Sequence, residues 1–302
     1  MGGGYESWFL SARDPAAPRA LWIRHTRWRP AEGRESVALW CTLFDPEPVA
    51  VKQSLDAFPP DARADADGFR GAARAGGHAA EWELAPAGGE PPLRPLRPAA
   101  LYRAPVPRTK LEAPLPDGIV SGRLTFDSRR VEVAGWRATV GHNWGSEHAE
   151  RWVWLHAAEL EEAPDAWLEL VVARVRLGRV VTPWLGGGAL SLAGERLPLG
   201  GPGRRAAVSA APGRLQARVS GPRTRVRVAV EAPLAHTVAF AYANPSGGDG
   251  REALHAGACA VRLRVERRGR PALELASATG AAYELGVRGG GHGVPLQPFP
   301  DP

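Results

Sequence analysis

The chain has 302 residues, a formal net charge of +6 and 44% hydrophobic residues, a balance typical of globular proteins that excludes a wholly disordered chain. Its length allows one large domain or two of ordinary size. No apolar stretch reaches the roughly 20 residues that a helix needs to cross a bilayer, so we expect no integral membrane segment. The first residues lack the basic and then apolar layout of a signal peptide, and we therefore expect a cytoplasmic protein.

The hydrophobic periodicity is almost entirely of period two, which predicts β-strands. In the first half of the chain the predicted strands are residues 20–28, 37–44, 123–126, 130–133 and 151–156. In the second half they are residues 167–177, 215–219, 224–231, 237–243, 258–266 and 272–277. Gly and Pro residues between these strands suit turns. Many short strands separated by turns predict an all-β protein built from antiparallel barrels or sandwiches.

Two segments interrupt the strand pattern. Residues 58–116 are rich in Ala, Pro and Gly, and we expect short edge strands and extended stretches there, because long unstructured loops are uncommon in compact domains. Short helical turns are an alternative at residues 61–75 and 251–257. An acidic segment beginning at Glu159 separates a Trp- and His-rich half from an Arg- and Val-rich half. We place the domain boundary there, which predicts an N-terminal domain of residues 1–158 and a C-terminal domain of residues 159–302.

Arginine supplies 36 of the 38 basic residues, since Lys52 and Lys110 are the only lysines. In residues 223–230 and 261–268 the arginines alternate with apolar residues. In a half-buried strand, this alternation places Arg in water and the apolar side chains in the core. Nucleic-acid binders need basic residues clustered on one face, preferably in a recognisable module. The sequence shows neither, and we expect no nucleic-acid partner.

The most informative stretch runs from Trp136 to His156. Within residues 151–156, alternation places Trp152, Trp154 and His156 on one strand face. Such a face would form a pocket wall whose rings grip an apolar ligand and stabilise a developing cation. Core packing is the alternative, and for the two tryptophans alone it is the more common role of a Trp-rich strand.

Just before this strand, Gly141 and Gly145 bracket His142, Asn143 and Trp144. Glycine permits sharp backbone bends, so this pattern predicts a tight turn with its polar side chains projecting at a strand end. A functional site and a structural hydrogen bond both remain open for the polar pair.

A metal site is the rival interpretation, because His142, His148 and His156 fall within fifteen positions, with Glu147 and Glu150 nearby. Their spacing matches no compact ligand motif such as His-Glu-x-x-His, and His156 would have to turn back from mid-strand. Nucleophile-elbow, phosphate-loop and dinucleotide-binding motifs are also missing. We therefore expect no metal and no cofactor.

The segment Gly141-His-Asn-Trp-Gly145 resembles the Asp-His-Asn-Trp-Gly motif of the AttH and carotenoid 1,2-hydratase (hydroxyneurosporene synthase) group. That group is similar to fungal lipocalin-like Diels–Alderases, to kievitone hydratase and, more distantly, to tocopherol cyclase. The same pattern includes Tyr5-Glu-Ser-Trp-Phe9, Pro107-Arg-Thr-Lys110 and Tyr283-Glu-Leu-Gly286. The resemblance implies two lipocalin-like antiparallel β-barrel or sandwich domains with a ligand cavity, in agreement with the period-two pattern.

The resemblance also implies cofactor-free chemistry on an apolar substrate, often an isoprenoid or a polyene. Hydration of an alkene needs a proton donor, a dry pocket for the carbocation and one admitted water. By resemblance, His142 and Trp144 are functional, and Glu169 is the nearest counterpart of a downstream Tyr-x-Asp pair. Exposure of Glu169 to solvent is the favoured alternative from its residue type alone. Gly141 replaces the family's Asp, and Glu147 is a candidate substitute.

The leading hypothesis is a cofactor-independent enzyme of the hydratase or cyclase type whose partner is a hydrophobic small molecule. The acid–base candidates are His142, Glu147 and Glu169, and the substrate-binding candidates are Asn143, Trp144, Trp152, Trp154 and His156. One alternative is a non-catalytic lipocalin-like protein that binds a lipid or pigment. Another is a structural protein without a pocket, which a closed core beside the Trp-rich strand would favour.

Overall fold

The computed structural model describes residues 3–299 as 21 strands and two short 3-10 helices, at Ala99–Tyr102 and Leu234–His236. The predicted all-β class is confirmed. The helical turns considered at residues 61–75 and 251–257 are wrong, since strands occupy both segments. None of the helices within residues 3–299 has the length and apolar character needed to cross a membrane.

The first sheet contains nine antiparallel strands. They are β1 (Gly4–Arg13), β2 (Ala20–Arg29), β3 (Ser36–Phe44), β4 (Pro48–Leu55), β5 (Arg63–Asp65), β6 (Gly68–Ala75), β7 (His78–Ala87), β8 (Thr109–Phe126) and β9 (Arg129–Gly145). Their order across the sheet is β4-β3-β2-β1-β9-β8-β7-β6-β5. Strand β4 also lies against β6, so the sheet curls into a nearly closed barrel. Strands β6 and β7 are interior strands of this sheet, in a region where the sequence predicted only short edge strands.

The second sheet contains ten strands. They are β10 (Arg151–Ala157), β11 (Trp167–Arg174), β14 (Leu185–Leu192), β15 (Glu195–Arg205), β16 (Ala207–Ala211), β17 (Arg214–Ser220), β18 (Thr224–Glu231), β19 (Val238–Tyr242), β20 (Arg251–Arg267) and β21 (Leu273–Val287). Their order is β15-β14-β11-β10-β21-β20-β18-β17-β16, with β19 paired to β20. Strand β15 folds over β17 and β18, which makes a sandwich. Strands β12 (Arg176–Leu177) and β13 (Val180–Val181) form a separate hairpin.

Each arginine-rich strand has one solvent-exposed face and one buried face. In β18, Val226 and Val228 are buried while Arg225 and Arg227 are exposed. The sequence prediction for these arginines is confirmed, because a strand on the outer side of a core buries only alternate side chains. Strand β3, by contrast, is buried on both faces because the first-sheet core covers one side and the second sheet covers the other.

The two sheets divide at residues 146–150, between β9 and β10. Strand β10 therefore belongs to the second sheet, whereas the predicted boundary at Glu159 grouped it with the first. Periodicity shows that a segment is a strand but does not show which sheet it pairs with. That each sheet is a domain in its own right stays a prediction.

An aromatic layer joins the two sheets. Trp22 and Trp40 from the first sheet pack against Phe240 from the second, with ring centroids 5.5 and 5.3 Å apart respectively. Trp154 and Phe44 belong to the same buried cluster. Burial of such large rings removes a large apolar area from water and so stabilises the contact between the sheets. A ligand-sized cavity adjoins this layer.

Candidate functional site

A cavity of about 590 Å³ lies between the two sheets. Its aromatic lining residues are Tyr5, Phe9, Trp22, Trp152, Trp154 and Tyr242. Strands from both sheets and the segment before β8 supply the wall, so neither sheet forms the cavity alone. Small-molecule sites in proteins have this size, mostly apolar walls and a few convergent polar groups.

The tryptophans of β10 form one wall of the cavity. Trp152 and Trp154 line it, while Val153 and Leu155 lie in the second-sheet core, as the period-two pattern predicts. The Trp152 ring lies flat against Gly286, where a Cβ atom would come within 2.2 Å of the ring. A glycine is therefore required at that position for the indole to reach its observed place.

Each of these indoles is held by a glutamate on a neighbouring strand. Trp152 donates its Nε1–H to Glu284 Oε1 at 2.7 Å, and Trp154 donates its Nε1–H to Glu169 Oε1 at 2.6 Å. A hydrogen bond to a carboxylate oxygen satisfies the one polar atom of a buried indole. The orientation of the wall is thus fixed by two carboxyl groups.

Glu284 is a carboxyl group on the cavity wall. Its Oε2 lies 3.7 Å from Nδ1 of the buried His255. Burial raises the pKa of Glu284, but the interactions with His255 and Trp152 and the positive charge of Arg24 outweigh burial and lower it overall. Glu284 is consequently a carboxylate at neutral pH. Glu284 lies in the Tyr283–Gly286 segment that carries part of the family resemblance, but no pattern in the sequence predicts a role for it.

Arg24 brings a buried cation to the same wall. Its Nε donates to Ser7 Oγ at 2.8 Å, and its guanidinium lies 4.2 Å from the centre of the Tyr242 ring. Its side chain is buried, and it lines the cavity. A cation–π contact stabilises the cation in this desolvated place. No local sequence signal marks Arg24, although it pairs directly with Phe9 of the Tyr5–Phe9 segment.

Tyr5 and His148 add polar edges to the cavity. The Tyr5 hydroxyl lies 2.6 Å from Thr109 Oγ1, and burial raises the pKa of Tyr5 to about 12. The His148 ring lies 4.4 Å from the Tyr5 ring and 5.6 Å from the Tyr242 ring. Tyr5 and Thr109 come from segments that carry the family resemblance, so those segments converge on one cavity together with Asn143 and Glu284.

The His-Asn-Trp segment is the end of strand β9, so the predicted tight turn is wrong. Its residues pair with β1 and β8, and alternation sends them to opposite faces. Asn143 lines the cavity, and its Oδ1 has no hydrogen-bond partner among residues 3–299. His142 and Trp144 point away from the cavity and do not line it.

His142 lies among polar and aromatic side chains of the first sheet. Its ring stacks on Trp8 with centroids 4.1 Å apart. Its Nε2 lies 3.1 Å from Glu6 Oε1, and its Nδ1 lies 3.4 Å from Glu112 Oε1. The expectation that His142 and Trp144 share one pocket with Trp152 is therefore wrong, since the sheet separates them.

Gly141 stands where the related family has Asp, and Glu147 is the candidate substitute for that acid. A Cβ atom at Gly141 would lie 2.1 Å from Cζ of Phe9, so the Phe9 ring occupies the space of any side chain there. Glu147 forms an ion pair with Arg108 at 2.7 Å and does not line the cavity. Glu147 is therefore not placed to replace the absent acid in this cavity.

Glu169 and His156 lie behind Trp154, in a buried charged cluster. They face each other across the β10–β11 pair, and Arg13 Nη2 donates to His156 Nδ1 at 2.8 Å. Burial raises the pKa of Glu169 to about 8, against the opposing effects of Trp154 and Arg13. Burial, with the charge of Arg13, holds the pKa of His156 well below its usual range. The solvent-exposed alternative for Glu169 is wrong, and neither residue lines the cavity.

The three histidines of the rival metal hypothesis occupy different surroundings. His142 faces the first-sheet core, His148 lines the cavity and His156 contacts Arg13. Within residues 3–299, no group of three or more His, Cys, Asp or Glu side chains is arranged to hold a metal ion.

Comparisons with known proteins agree with this architecture. No family model matches the chain. Two uncharacterized proteins, from two strains of Mycobacterium tuberculosis, are 27% identical to it over an alignment of 163 residues that covers 51% of this chain. The match spans about half the length of these curated relatives, at 49%.

Solved structures match nearly the whole chain. An AttH-like protein from Nitrosomonas europaea has a TM-score of 0.52 at 16% identity, covering 93% of this chain and 91% of its own. CghA in complex with Sch210972 has a TM-score of 0.57 at 15% identity, covering 95% and 88%. The chain therefore has the lipocalin-like fold of these proteins, and the resemblance to the AttH group drawn from its motifs is confirmed at the level of the fold.

Proposed function

We propose that the chain is an enzyme of the hydratase or cyclase type that takes an apolar small molecule, isoprenoid or polyene in class, into the cavity between its sheets. The observation that carries the proposal is the aromatic cavity of about 590 Å³ with the Glu284 carboxylate held on its wall. CghA, which shares the fold, has been crystallised with Sch210972, which supports a ligand-binding role for a cavity in this fold.

The wall is suited to a reaction that passes through a carbocation. The π faces of Trp152 and Tyr242 attract positive charge, and the Glu284 carboxylate adds a full negative charge beside them. The apolar lining keeps bulk water from quenching the cation. These groups are fixed before the substrate enters, so they need no reorganisation during the reaction.

The acid–base roles in this proposal fall to residues on the cavity wall. His148 acts as the general acid and gives a proton to one alkene carbon, so that an N–H bond breaks, a C–H bond forms and the neighbouring carbon becomes cationic. A water held by the free Oδ1 of Asn143 adds to that carbon and passes a proton to Glu284. In a cyclisation, the π electrons of a second alkene replace the water and form a C–C bond, and the new cation on that alkene then loses a proton to Glu284 to give a double bond. His142, Glu147 and Glu169 lie off the wall, and we assign Glu169 to holding Trp154 in place.

The test begins with extraction of the small molecule that co-purifies with the protein and its identification by mass spectrometry. Turnover of that molecule is then measured with the parent and with Glu284→Gln. Loss of a general base typically slows a reaction by about 10²- to 10⁴-fold, and we expect a loss in that range. Glu147→Gln is the matched control and should leave turnover unchanged.

Binding is measured separately, by quenching of Trp fluorescence with retinol as a polyene probe. Glu284→Gln should retain this binding, because the Glu284 carboxylate contributes little to the binding affinity for an apolar ligand. Full turnover by Glu284→Gln would overturn the assignment of that residue. Release of the ligand chemically unchanged by the parent, with binding intact, would identify the chain as a non-catalytic lipocalin-like binding protein.

A further inference from the structure

The opening of the cavity is bordered by three surface segments, residues 94–108, 174–185 and 200–206, which we call the rim. Each contributes residues to the cavity lining, among them Val106, Leu177 and Arg205. The first segment precedes β8, the second contains the β12–β13 hairpin, and the third contains the end of β15. The rim therefore combines both halves of the chain around one entrance.

The rim is strongly cationic. Its three segments contain nine arginines and no Asp or Glu, whereas the whole chain has a net charge of only +6. Nine arginines exceed that total by three, so the rest of the chain carries a net charge of −3. The tertiary structure therefore concentrates the net positive charge of the protein at the cavity entrance.

Some of these arginines are neutralised and others are not. Arg94, Arg108 and Arg176 form ion pairs with glutamates, and Arg174 donates to a backbone oxygen. The remaining five are exposed and have no ion-pair partner within the described part of the chain; they are Arg97, Arg103, Arg179, Arg204 and Arg205. Exposed cations around one entrance repel one another unless an anionic partner covers them.

The same surface exposes aliphatic side chains. Val106, Leu177, Val180 and Leu185 are 42%, 47%, 66% and 46% exposed. They make up four of the nine large apolar side chains that are exposed between residues 3 and 299. Leu177 and Val180 flank the tip of the β12–β13 hairpin, where Gly178 has a φ of 60° that suits a two-residue turn. The hairpin thus presents two aliphatic side chains beside Arg179.

We propose that the rim docks on the surface of an anionic lipid bilayer, with the cavity entrance facing the lipid. Unpaired arginines are attracted to anionic headgroups, and adjacent aliphatic side chains gain free energy by entering the boundary of the acyl chains. A nucleic acid would neutralise the arginines but leave Leu177 and Val180 in water. The combination of charge and exposed aliphatics on one face is what favours the bilayer.

Docking would give an apolar ligand a direct route between lipid and cavity. Such a molecule partitions into the bilayer, so its concentration in the water around an undocked entrance would be very low. The proposal concerns a surface and stands whether the cavity catalyses a reaction or only binds a ligand.

The experiment is flotation of the full chain with vesicles, without any added ligand. The parent should bind vesicles of phosphatidylcholine and phosphatidylglycerol, should not bind vesicles of phosphatidylcholine alone, and should dissociate as salt screens the headgroups. In a variant combining R179Q, R204Q and R205Q, we expect about a fivefold loss of partitioning for each arginine removed. A variant combining L177S and V180S should weaken binding even at low salt.

The matched control combines R214Q, R218Q and R262Q, which removes three exposed arginines outside the rim, and it should bind as the parent does. Absence of parental binding to anionic vesicles would overturn the proposal. Equal losses in the two arginine variants would overturn it as well, since a general charge effect would then explain binding. Binding of duplex DNA in preference to anionic vesicles would identify a nucleic-acid surface instead.

Discussion

At the scale of single residues, two glutamates beside neighbouring tryptophans have opposite acid–base properties. Glu284 lies on the cavity wall and is ionised, because His255, Trp152 and Arg24 offset its burial. Glu169 is fully buried behind Trp154, and its pKa rises to about 8. Environments that push two carboxyl groups apart in pKa allow one to act as an anion and the other as a neutral acid.

The raised pKa of Glu169 predicts a pH-dependent cost to stability. Below pH 4.5 the carboxyl is protonated in both the folded and unfolded states, and it imposes no such cost. Between pH 4.5 and about 8 the unfolded state releases its proton more readily than the folded state, so stability falls as pH rises. The variant Glu169→Gln cannot ionise, and its stability advantage over the parent should grow across this interval and then level off.

Urea unfolding of parent and variant, at a series of pH values between 5 and 8, measures this difference. Asp117, Arg13 and His156 surround Glu169 and are present in both proteins, so their own titration largely cancels. Glu231→Gln, at an exposed position, should show no such pH-dependent difference. A stability difference for Glu169→Gln that stays constant with pH would contradict the raised pKa.

At the scale of elements, Lys110 restrains residues 94–108, the rim segment that precedes β8. Lys110 at the start of β8 donates its Nζ protons to the carbonyl oxygens of Ala104, at 3.0 Å, and Pro107. Tyr102 donates to the carbonyl oxygen of Leu111 at 2.6 Å. Because the segment has no strand partner at these residues, such side-chain hydrogen bonds hold it over the cavity.

Lys110→Met should loosen this segment, because the methionine keeps the apolar stem of the lysine but donates no hydrogen bonds. We expect trypsin to cleave after Arg103 or Arg108 faster than in the parent, since proteolysis follows local opening. Peptide mapping by mass spectrometry measures the rate. Lys52→Met, which changes the other lysine of the chain in strand β4, is the control and should leave cleavage at these arginines unchanged.

At the scale of the whole molecule, the cavity exists only because two sheets pack through one aromatic layer. Phe240 is almost completely buried between Trp22 and Trp40 of the other sheet. An interface of large buried rings makes each sheet depend on the other for part of its stability. The rim and the cavity wall depend on the same arrangement, since both draw residues from both halves of the chain.

Phe240→Ala should therefore destabilise both sheets together. Removal of a buried Phe typically costs about 3–5 kcal/mol. Hydrogen exchange in urea, followed by mass spectrometry, should show peptides of β7 and β18 losing protection in one transition at lower urea than in the parent. Leu234→Ala, at an exposed position, should change the stability by less than about 0.5 kcal/mol. Loss of protection confined to the second sheet would show that the sheets unfold independently.

The local sequence pattern predicted the β-strands well, but it predicted only some residues of the candidate functional site. Alternation of apolar residues correctly divided the faces of β10 and of the arginine-rich strands, because side chains alternate in any strand. The bracketing glycines suggested a turn at His142, but Gly141 instead makes room for Phe9 and continues a strand. Glu284 lies in a segment of the family resemblance and His148 in the histidine cluster, but neither pattern places them on a cavity, so only the shared cavity identifies their place in the site.

The all-β class, the resemblance to the AttH group and the shared strand face of Trp152 and Trp154 follow from the amino-acid sequence alone. These follow from period-two burial and from short motifs, which act over a few residues. Three features emerge only in the folded protein: β10 pairs with the second sheet, Asn143 faces the cavity while His142 does not, and nine arginines lie around one entrance. These features depend on the pairing and packing of the sheets, which bring distant segments together, whereas periodicity along the chain reflects only which side chains of one strand share a face.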